Sequence, residues 1–245
     1  DISRAELKAL AEKHFLGWKS APVPPLVPGT PATTKARVVL VDQPGAGQTA
    51  LRLTTLAAER KTPLYPALEV MNAAFGGLFT SRINQNLRED KGYTYGVYSG
   101  FRYDRTPGPF IIAGSVRANV TGASVTELLK EAQAMVDKPL EAAELAGARN
   151  AELLSLPNRF ETNSDIGASL AETFVFDLPL DYYSQLPARL AAVTAADVQA
   201  AAKRYLDPAR LMVVAVGERK KIAPQLDKLK LGPVEVRDSE GQLRP

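Results

Sequence analysis

The feature that most constrains the fold is a run of five prolines within ten residues, positions 22–31, in "APVPPLVPGTPATT". Proline fixes φ and lacks a backbone N–H, so this stretch favours extended polyproline geometry and excludes a helix or a central strand. We therefore predict a linker over residues 21–34. It separates a short N-terminal unit, 1–20, from a main domain, 35–230, which is followed by a polar C-terminal tail, 231–245.

The composition excludes several classes of function. The 245 residues include no Cys, which excludes disulfides, thiolate zinc sites and a cysteine nucleophile. The only histidine, His14, rules out a two-histidine metal site, and it precedes the linker, so the main domain holds no Ser–His–Asp triad. A net charge of +3 with scattered Lys and Arg argues against a nucleic-acid-binding face. No apolar run approaches the roughly 20 residues of a membrane span.

The order of predicted elements is β-β-α-α-β-β, then several helices, then β-α. Two strand-like segments, 36–43 and 48–58, flank the turn "PGAG", and we expect a hairpin there. From Thr121 the apolar periodicity is helical, and the run "RLMVVAVG" is typical of a buried strand. Hairpin-like strands followed by grouped helices predict an α+β fold, with an antiparallel sheet covered on one face by helices.

One pair of residues could carry chemistry. In "LREDKGYTYG", Arg88 lies near the end of a predicted helix and Tyr95 lies seven positions later, at the start of a strand. Gly92 permits a sharp reversal between them, so a guanidinium and a phenol could reach one peptide carbonyl and stabilise developing negative charge. In the alternative interpretation, which spacing alone favours, Arg88 pairs with Glu89 or Asp90 at the helix end and Tyr95 is an ordinary strand aromatic.

Several stretches resemble one known family. The sequences "NAAFGGLFTSRINQNLREDKGYTYGVYSGF" and "LPLDYYSQLPARLAAVTAADVQAAAKRYLDPARLMVVAVG" resemble the second half of the pitrilysin/insulinase zinc metallopeptidases, the inverzincins. The turn "PGAGQT" fits the first hairpin of that family. The opening "DISRAELKALAEKHFLGW" looks like the closing helix of a preceding homologous domain, so we expect the chain to be part of a longer protein. The resemblance covers nearly the whole chain up to about residue 230.

The resemblance implies a half-chamber domain that acts with a partner. Members of the family pair two homologous domains around a chamber, and one domain carries the zinc motif H-x-x-E-H. The other domain lacks zinc and presents an Arg and a Tyr, seven positions apart, to the substrate. Arg88 and Tyr95 match that pair, and the zinc motif is absent here. The resemblance thus implies no cofactor in this chain, with zinc in a homologous partner domain or subunit.

The leading hypothesis is therefore a zinc-lacking, substrate-binding half of a zinc metalloendopeptidase, inactive as an isolated domain. Its expected partners are the homologous zinc-bearing domain or subunit and a peptide substrate, with no nucleic acid and no membrane span. The alternative is a non-catalytic assembly subunit of the same fold. An independent hydrolase of another class is disfavoured, since candidates for a general base are missing. Family analogy favours the bacterial periplasm over the cytoplasm.

Overall fold

The computed structural model describes residues 2–24 and 38–244, and the chain divides into two compact units, 1–32 and 33–245. The predicted linker, 21–34, falls at this division. Its first four residues are irregular and the others lie outside the described residues. The domain limits given above stay predictions.

The described residues of the first unit, 2–24, form one helix, α1, over Arg4–Phe15. The hydroxyl of Ser3 accepts a hydrogen bond from the N–H of Glu6 at 3.3 Å, and the Glu6 carboxylate accepts one from the N–H of Ser3 at 2.8 Å. This reciprocal capping box satisfies two backbone donors at the helix start. No residue of α1 is buried, so its apolar side chains lie on an uncovered surface.

The second unit is built on one six-stranded sheet. The strands, in chain order, are β1 (Val38–Asp42), β2 (Gln48–Leu56), β3 (Thr94–Phe101), β4 (Pro109–Arg117), β5 (Met212–Gly217) and β6 (Val234–Arg237). In space the order is β3-β4-β2-β5-β1-β6.

Eight helices of the second unit accompany the sheet within the described residues. They are α2 (Tyr65–Asn72), α3 (Arg82–Asn84), α4 (Thr121–Asp137), α5 (Ala142–Ser155), α6 (Asn163–Val175), α7 (Tyr182–Ala191), α8 (Ala195–Tyr205) and α9 (Arg219–Asp227). Across residues 2–24 and 38–244, the helices all fall short of the length and apolar character that a membrane crossing demands.

The α+β class is confirmed, and the sheet is mixed rather than purely antiparallel. Strand β1 runs parallel to both β5 and β6, whereas β2–β4, β2–β5 and β3–β4 are antiparallel. Because β5 lies between β1 and β2, the expected hairpin around "PGAG" is wrong. The apolar run of β5 suits an inner position in the sheet, and the long crossover that precedes it allows parallel pairing with β1. The segment assigned to a polar tail contributes the edge strand β6.

The core lies between one face of the sheet and the helices. Buried and more exposed positions alternate along the strands, as in β4, where Phe110 and Ile112 are fully buried. Leu51 and Leu53 of β2 point to the same side, and helix residues such as Leu68 pack in the same cluster. This period of two is typical of a sheet that is covered by helices on one face.

Two wide, π-helical turns distinguish the region that leads to β3. The first, Ala73–Gly77, continues α2 through the Gly pair, and the second, Gln85–Asp90, continues α3. In the first turn, Gly76 is buried directly against β3. A Cβ atom there would overlap Ser99 Oγ and would lie 2.5 Å from Ile83 Cδ1. Only the smallest residue permits this close approach of helix to strand.

The substitution Gly76→Ala should lower the free energy of unfolding by about 1–3 kcal/mol, since the added methyl group overfills a packed contact. Gly147→Ala is the matched control, because Gly147 lies within α5 and a Cβ there meets nothing within 4 Å. That control should raise stability by up to about 1 kcal/mol through helix propensity. Urea unfolding of both variants measures the difference, and equal effects would contradict the packing argument.

Candidate functional site

The backbone reverses sharply between the second π-helical turn and β3. Gly92 adopts a left-handed conformation with φ of 58°, and its N–H donates to the carbonyl of Arg88 at 3.2 Å. The N–H of Tyr93 donates to the carbonyl of Leu87 at 2.8 Å, which closes the helical end. A left-handed glycine of this kind is a common helix stop. It brings the start of β3 beside the helical turn that carries Arg88.

A β-bulge at the start of β3 sets the direction of Tyr95. The pairing with β4 skips one residue, so Tyr95 and Gly96 together oppose Ser115. The hydroxyl of Thr94 lies 2.6 Å from the carbonyl oxygen of Ser115, to which it donates, and it accepts the N–H of Gly96 at 3.1 Å. Bulges redirect side chains and often lie at functional sites. Here the phenol of Tyr95 is 90% exposed.

Arg88 is held by two neighbours. Its guanidinium carbon lies 4.0 Å from the centre of the Phe79 ring, and its Nη1 lies 3.0 Å from Glu89 Oε1. Nη1 is buried and makes no hydrogen bond with any residue between 38 and 244. The contact with Glu89 is therefore an ion pair without hydrogen-bond geometry. The side chain keeps 31% of its surface exposed. The pairing with Glu89 that the alternative interpretation predicts is therefore present, and the side chain of Arg88 stays partly exposed.

Arg88 and Tyr95 line one pocket of about 510 Å³. The helix end, Gly92 and the bulge thus bring together the two residues that the sequence predicts as a site. Sequence reasoning missed four other residues that line this pocket, Gln48, Tyr93, Thr94 and Arg117. Only the register between β2 and β4, which pairs Gln48 with Arg117, could have revealed the last of them.

Polar contacts fix the segment that carries the site. The side-chain amide of Asn86 donates to Glu127 Oε2 at 2.9 Å and to Glu131 Oε1 at 2.7 Å, which ties the second π-helical turn to α4. The hydrogen bond from Asn86 lowers the pKa of the Glu127 carboxyl, although burial opposes it, and the nearby ammonium of Lys91 adds to the lowering. The carboxylate therefore stays ionised and keeps these contacts at neutral pH.

A buried asparagine joins the same region to β3. Asn84 Oδ1 accepts the N–H of Val97 at 3.0 Å, and its Nδ2 donates to the carbonyl of Leu78 at 3.2 Å. A similar bond, of 2.7 Å, runs from Ser99 Oγ to Asn72 Oδ1. β3 is an edge strand, so no neighbouring strand pairs with its outer side. On that side, Asn84 provides a hydrogen-bond partner for the backbone of Val97, and Asn72 provides one for the hydroxyl of Ser99.

A second polar cluster lies apart from the Arg88–Tyr95 pocket, and sequence reasoning missed it. Arg60 is 2% exposed, and its Nε lies 2.5 Å from Glu172 Oε1 while its Nη1 donates to the Tyr182 hydroxyl at 2.9 Å. The guanidinium carbon also stacks 3.8 Å from the centre of the Tyr65 ring. These contacts neutralise a buried charge and join segments that are distant in sequence.

Two glutamates near this cluster have raised pKa values. Burial raises the pKa of Glu152 to about 7, with the charge of Glu69 contributing and Arg159 opposing. Burial also raises the pKa of Glu69, although a 2.7 Å hydrogen bond from the Tyr103 hydroxyl favours its charged form. The two carboxyls therefore titrate as an interacting pair.

The described residues do not fit a zinc site. No group of three or more His, Cys, Asp or Glu within them could hold a metal ion. The single histidine, His14, lies on α1 in the first unit.

The sequence comparison specifies the family to which this α+β domain belongs. The family described as the peptidase M16 inactive domain matches residues 1–152. The chain therefore belongs to the peptidase M16 inactive domain family. No curated protein matches it.

Solved structures share the fold. The peptidase M16 inactive domain from Pseudomonas fluorescens is 28% identical with a TM-score of 0.80, over 89% of this chain and 52% of that chain. A protease from Helicobacter pylori is 17% identical with a TM-score of 0.77, over 88% of this chain and 53% of that one. A chain of complex III from Candida albicans is 12% identical with a TM-score of 0.76, over 94% of this chain and 57% of that one. The chain thus spans about half the length of these proteins.

The raised pKa of Glu152 predicts a pH-dependent stability. The pKa is about 7 in the folded protein and about 4.3 in an unfolded chain, so the folded state binds the proton more tightly. This contribution is complete below about pH 4 and is lost as the pH rises through about 7. Glu152→Gln mimics the protonated side chain, so its melting temperature should match the wild type near about pH 4 and exceed it near about pH 8.

The control for that measurement is Glu161→Gln, which changes an exposed carboxylate. It should show no comparable gain between the two pH values in the same thermal melts. A constant difference between Glu152→Gln and wild type at both pH values would contradict the assignment.

Proposed function

We propose that this chain is the substrate-binding half of a zinc metallopeptidase, which assists peptide-bond hydrolysis through Arg88 and Tyr95. The observation that supports this most is their convergence on one pocket, produced by the left-handed Gly92 and the bulge in β3. Membership of the peptidase M16 inactive domain family agrees with a role of this kind.

Tyr95 is the residue we assign to the scissile carbonyl. Its phenol is exposed, lines the pocket and makes no hydrogen bond with the described residues. A hydroxyl in this state can donate to a carbonyl oxygen and stabilise the negative charge that develops on it during attack. The bulge holds the strand in the conformation that presents the hydroxyl, so little reorganisation accompanies binding.

Arg88 is the residue we assign to a neighbouring carbonyl or carboxylate of the peptide. The Phe79 ring and Glu89 fix the guanidinium from two sides and leave part of it facing the pocket. A guanidinium donates several hydrogen bonds in one plane, so one pair with Glu89 does not exhaust it. Arg88 would therefore position the peptide, and Tyr95 would act on the reacting bond.

The zinc belongs, in this proposal, to a homologous domain or subunit, because the described residues here offer no fitting set of ligands. The chain spans about half the length of its structural neighbours, which leaves room for such a domain in a longer protein. The uncovered α1, with Leu7, Leu10 and Phe15 exposed, supports the proposal that residues 1–20 complete a preceding homologous domain.

Tyr95→Phe should lower turnover by about 10²–10³-fold when the chain is assembled with its zinc-bearing partner, the scale of losing one oxyanion donor. The loss should fall mainly on kcat, since the hydroxyl acts chiefly in the transition state. Steady-state hydrolysis of a fluorogenic peptide measures it. Tyr98→Phe is the matched control, an exposed tyrosine on the same strand that does not line the pocket. An unchanged rate for Tyr95→Phe would remove Tyr95 from the mechanism.

The isolated chain should hydrolyse no peptide when zinc is added, because the described residues offer no group that could hold a metal ion to activate water. The same fluorogenic assay, run with and without a chelator, checks this. Robust, chelator-insensitive activity of the purified chain would instead support an independent hydrolase.

A second candidate is a non-catalytic assembly subunit of the same fold. The likeness to a chain of complex III from Candida albicans, at a TM-score of 0.76, favours it, although an identity of 12% concerns the fold alone. In this case the partner of the chain would carry no H-x-x-E-H motif. Reading the sequence upstream of this chain, and that of its neighbouring subunit, distinguishes the two candidates.

A further inference from the structure

The pocket that contains Arg88 and Tyr95 also contains a second arginine that neither hypothesis uses. Arg117 ends β4, is exposed and lines this pocket. Within residues 38–244 it has no carboxylate partner, whereas Arg88 is paired with Glu89. Glu89 is the single carboxylate among the pocket residues of this part of the chain, so the pocket carries an excess positive charge.

The backbone of Arg117 is fixed, although its side chain is exposed. Its N–H donates to the carbonyl of Tyr93 at 3.1 Å, and it pairs with Gln48 across β2 and β4. Arg117 and Ser115 lie on the strand face opposite the buried Val116, about 7 Å apart along β4. Ser115 lies opposite Tyr95 in the bulge of β3. Arg117 therefore lies two residues further along β4 than the residue opposite Tyr95.

We propose that Arg117 determines specificity by binding a carboxylate of the peptide, next to the carbonyl that Arg88 and Tyr95 hold. This inference rests on the proposed function. The carboxylate belongs either to an acidic side chain or to the C-terminus of the peptide, since a guanidinium pairs with both in the same planar manner. Gln48 and Tyr93 add neutral hydrogen-bonding groups around the same position.

The test measures binding of short fluorescent peptides to the chain by anisotropy, at low salt because the pair is exposed. One peptide is blocked at both ends and has a central Glu; the second has Gln in its place; the third is the Gln peptide with a free C-terminal carboxylate. The wild-type chain should bind one carboxylate peptide about five- to tenfold more tightly than the blocked Gln peptide. The peptide that binds more tightly than the blocked Gln peptide identifies the source of the carboxylate, either an acidic side chain or the C-terminus.

Arg117→Gln should abolish that preference, so that the carboxylate peptide and the blocked Gln peptide bind this variant with the same affinity. Arg52→Gln is the matched control, because Arg52 is an exposed arginine of β2 that does not line the pocket. It removes the same charge from the sheet and should keep the preference. A long-range electrostatic role of Arg117 would not separate these two variants.

The possible failures are distinguishable. If the wild-type chain binds all three peptides equally, or if Arg52→Gln abolishes the preference as fully as Arg117→Gln, the inference is overturned and the proposed peptide site still stands. If no peptide binds, the proposed function and the inference are both overturned.

Discussion

The attachment of the edge strand β3 to the helical layer is the constraint on which the site depends. The side chain of Asn84 is buried and bonds the N–H of Val97, and Asn72 accepts the hydroxyl of Ser99. These bonds hold the two wide helical turns against the strand, at the distance that Gly76 permits. Loss of such a partner would leave a buried amide unsatisfied and lower the free energy of unfolding by about 1–3 kcal/mol. The folded state therefore strongly favours these contacts. This attachment keeps the helical turn that carries Arg88 beside the strand that carries Tyr95.

The sequence predicts the parts of the fold that depend on local pattern. Apolar periodicity indicates the helices and most strands, and the capping boxes that start at Ser3 and Thr194 are local patterns that begin helices. The pairing of strands is not local. β5 enters the sheet between β1 and β2 from more than a hundred residues away, and no short-range signal specifies that position. The edge strand β6 is similarly hidden, because it is only four residues long and its pairing with β1 is remote in sequence.

The same distinction separates the predicted and the missed site residues. Arg88 and Tyr95 converge because Gly92 reverses the chain between them, and this glycine is a signal that a short stretch of sequence contains. Arg117 reaches the pocket only through the pairing register of β2 and β4, and the pair of Arg60 with Glu172 joins residues 112 positions apart. Contacts of that kind arise from tertiary packing, so no spacing rule in the sequence could indicate them.

The position of β6 has a consequence for handling the protein. By pairing in parallel with β1, it occupies a row of backbone donors and acceptors that would otherwise face solvent. A chain shortened before Val234 would present that row to neighbouring molecules in solution. The last residues thus cover a place at which another chain could add a strand to the sheet.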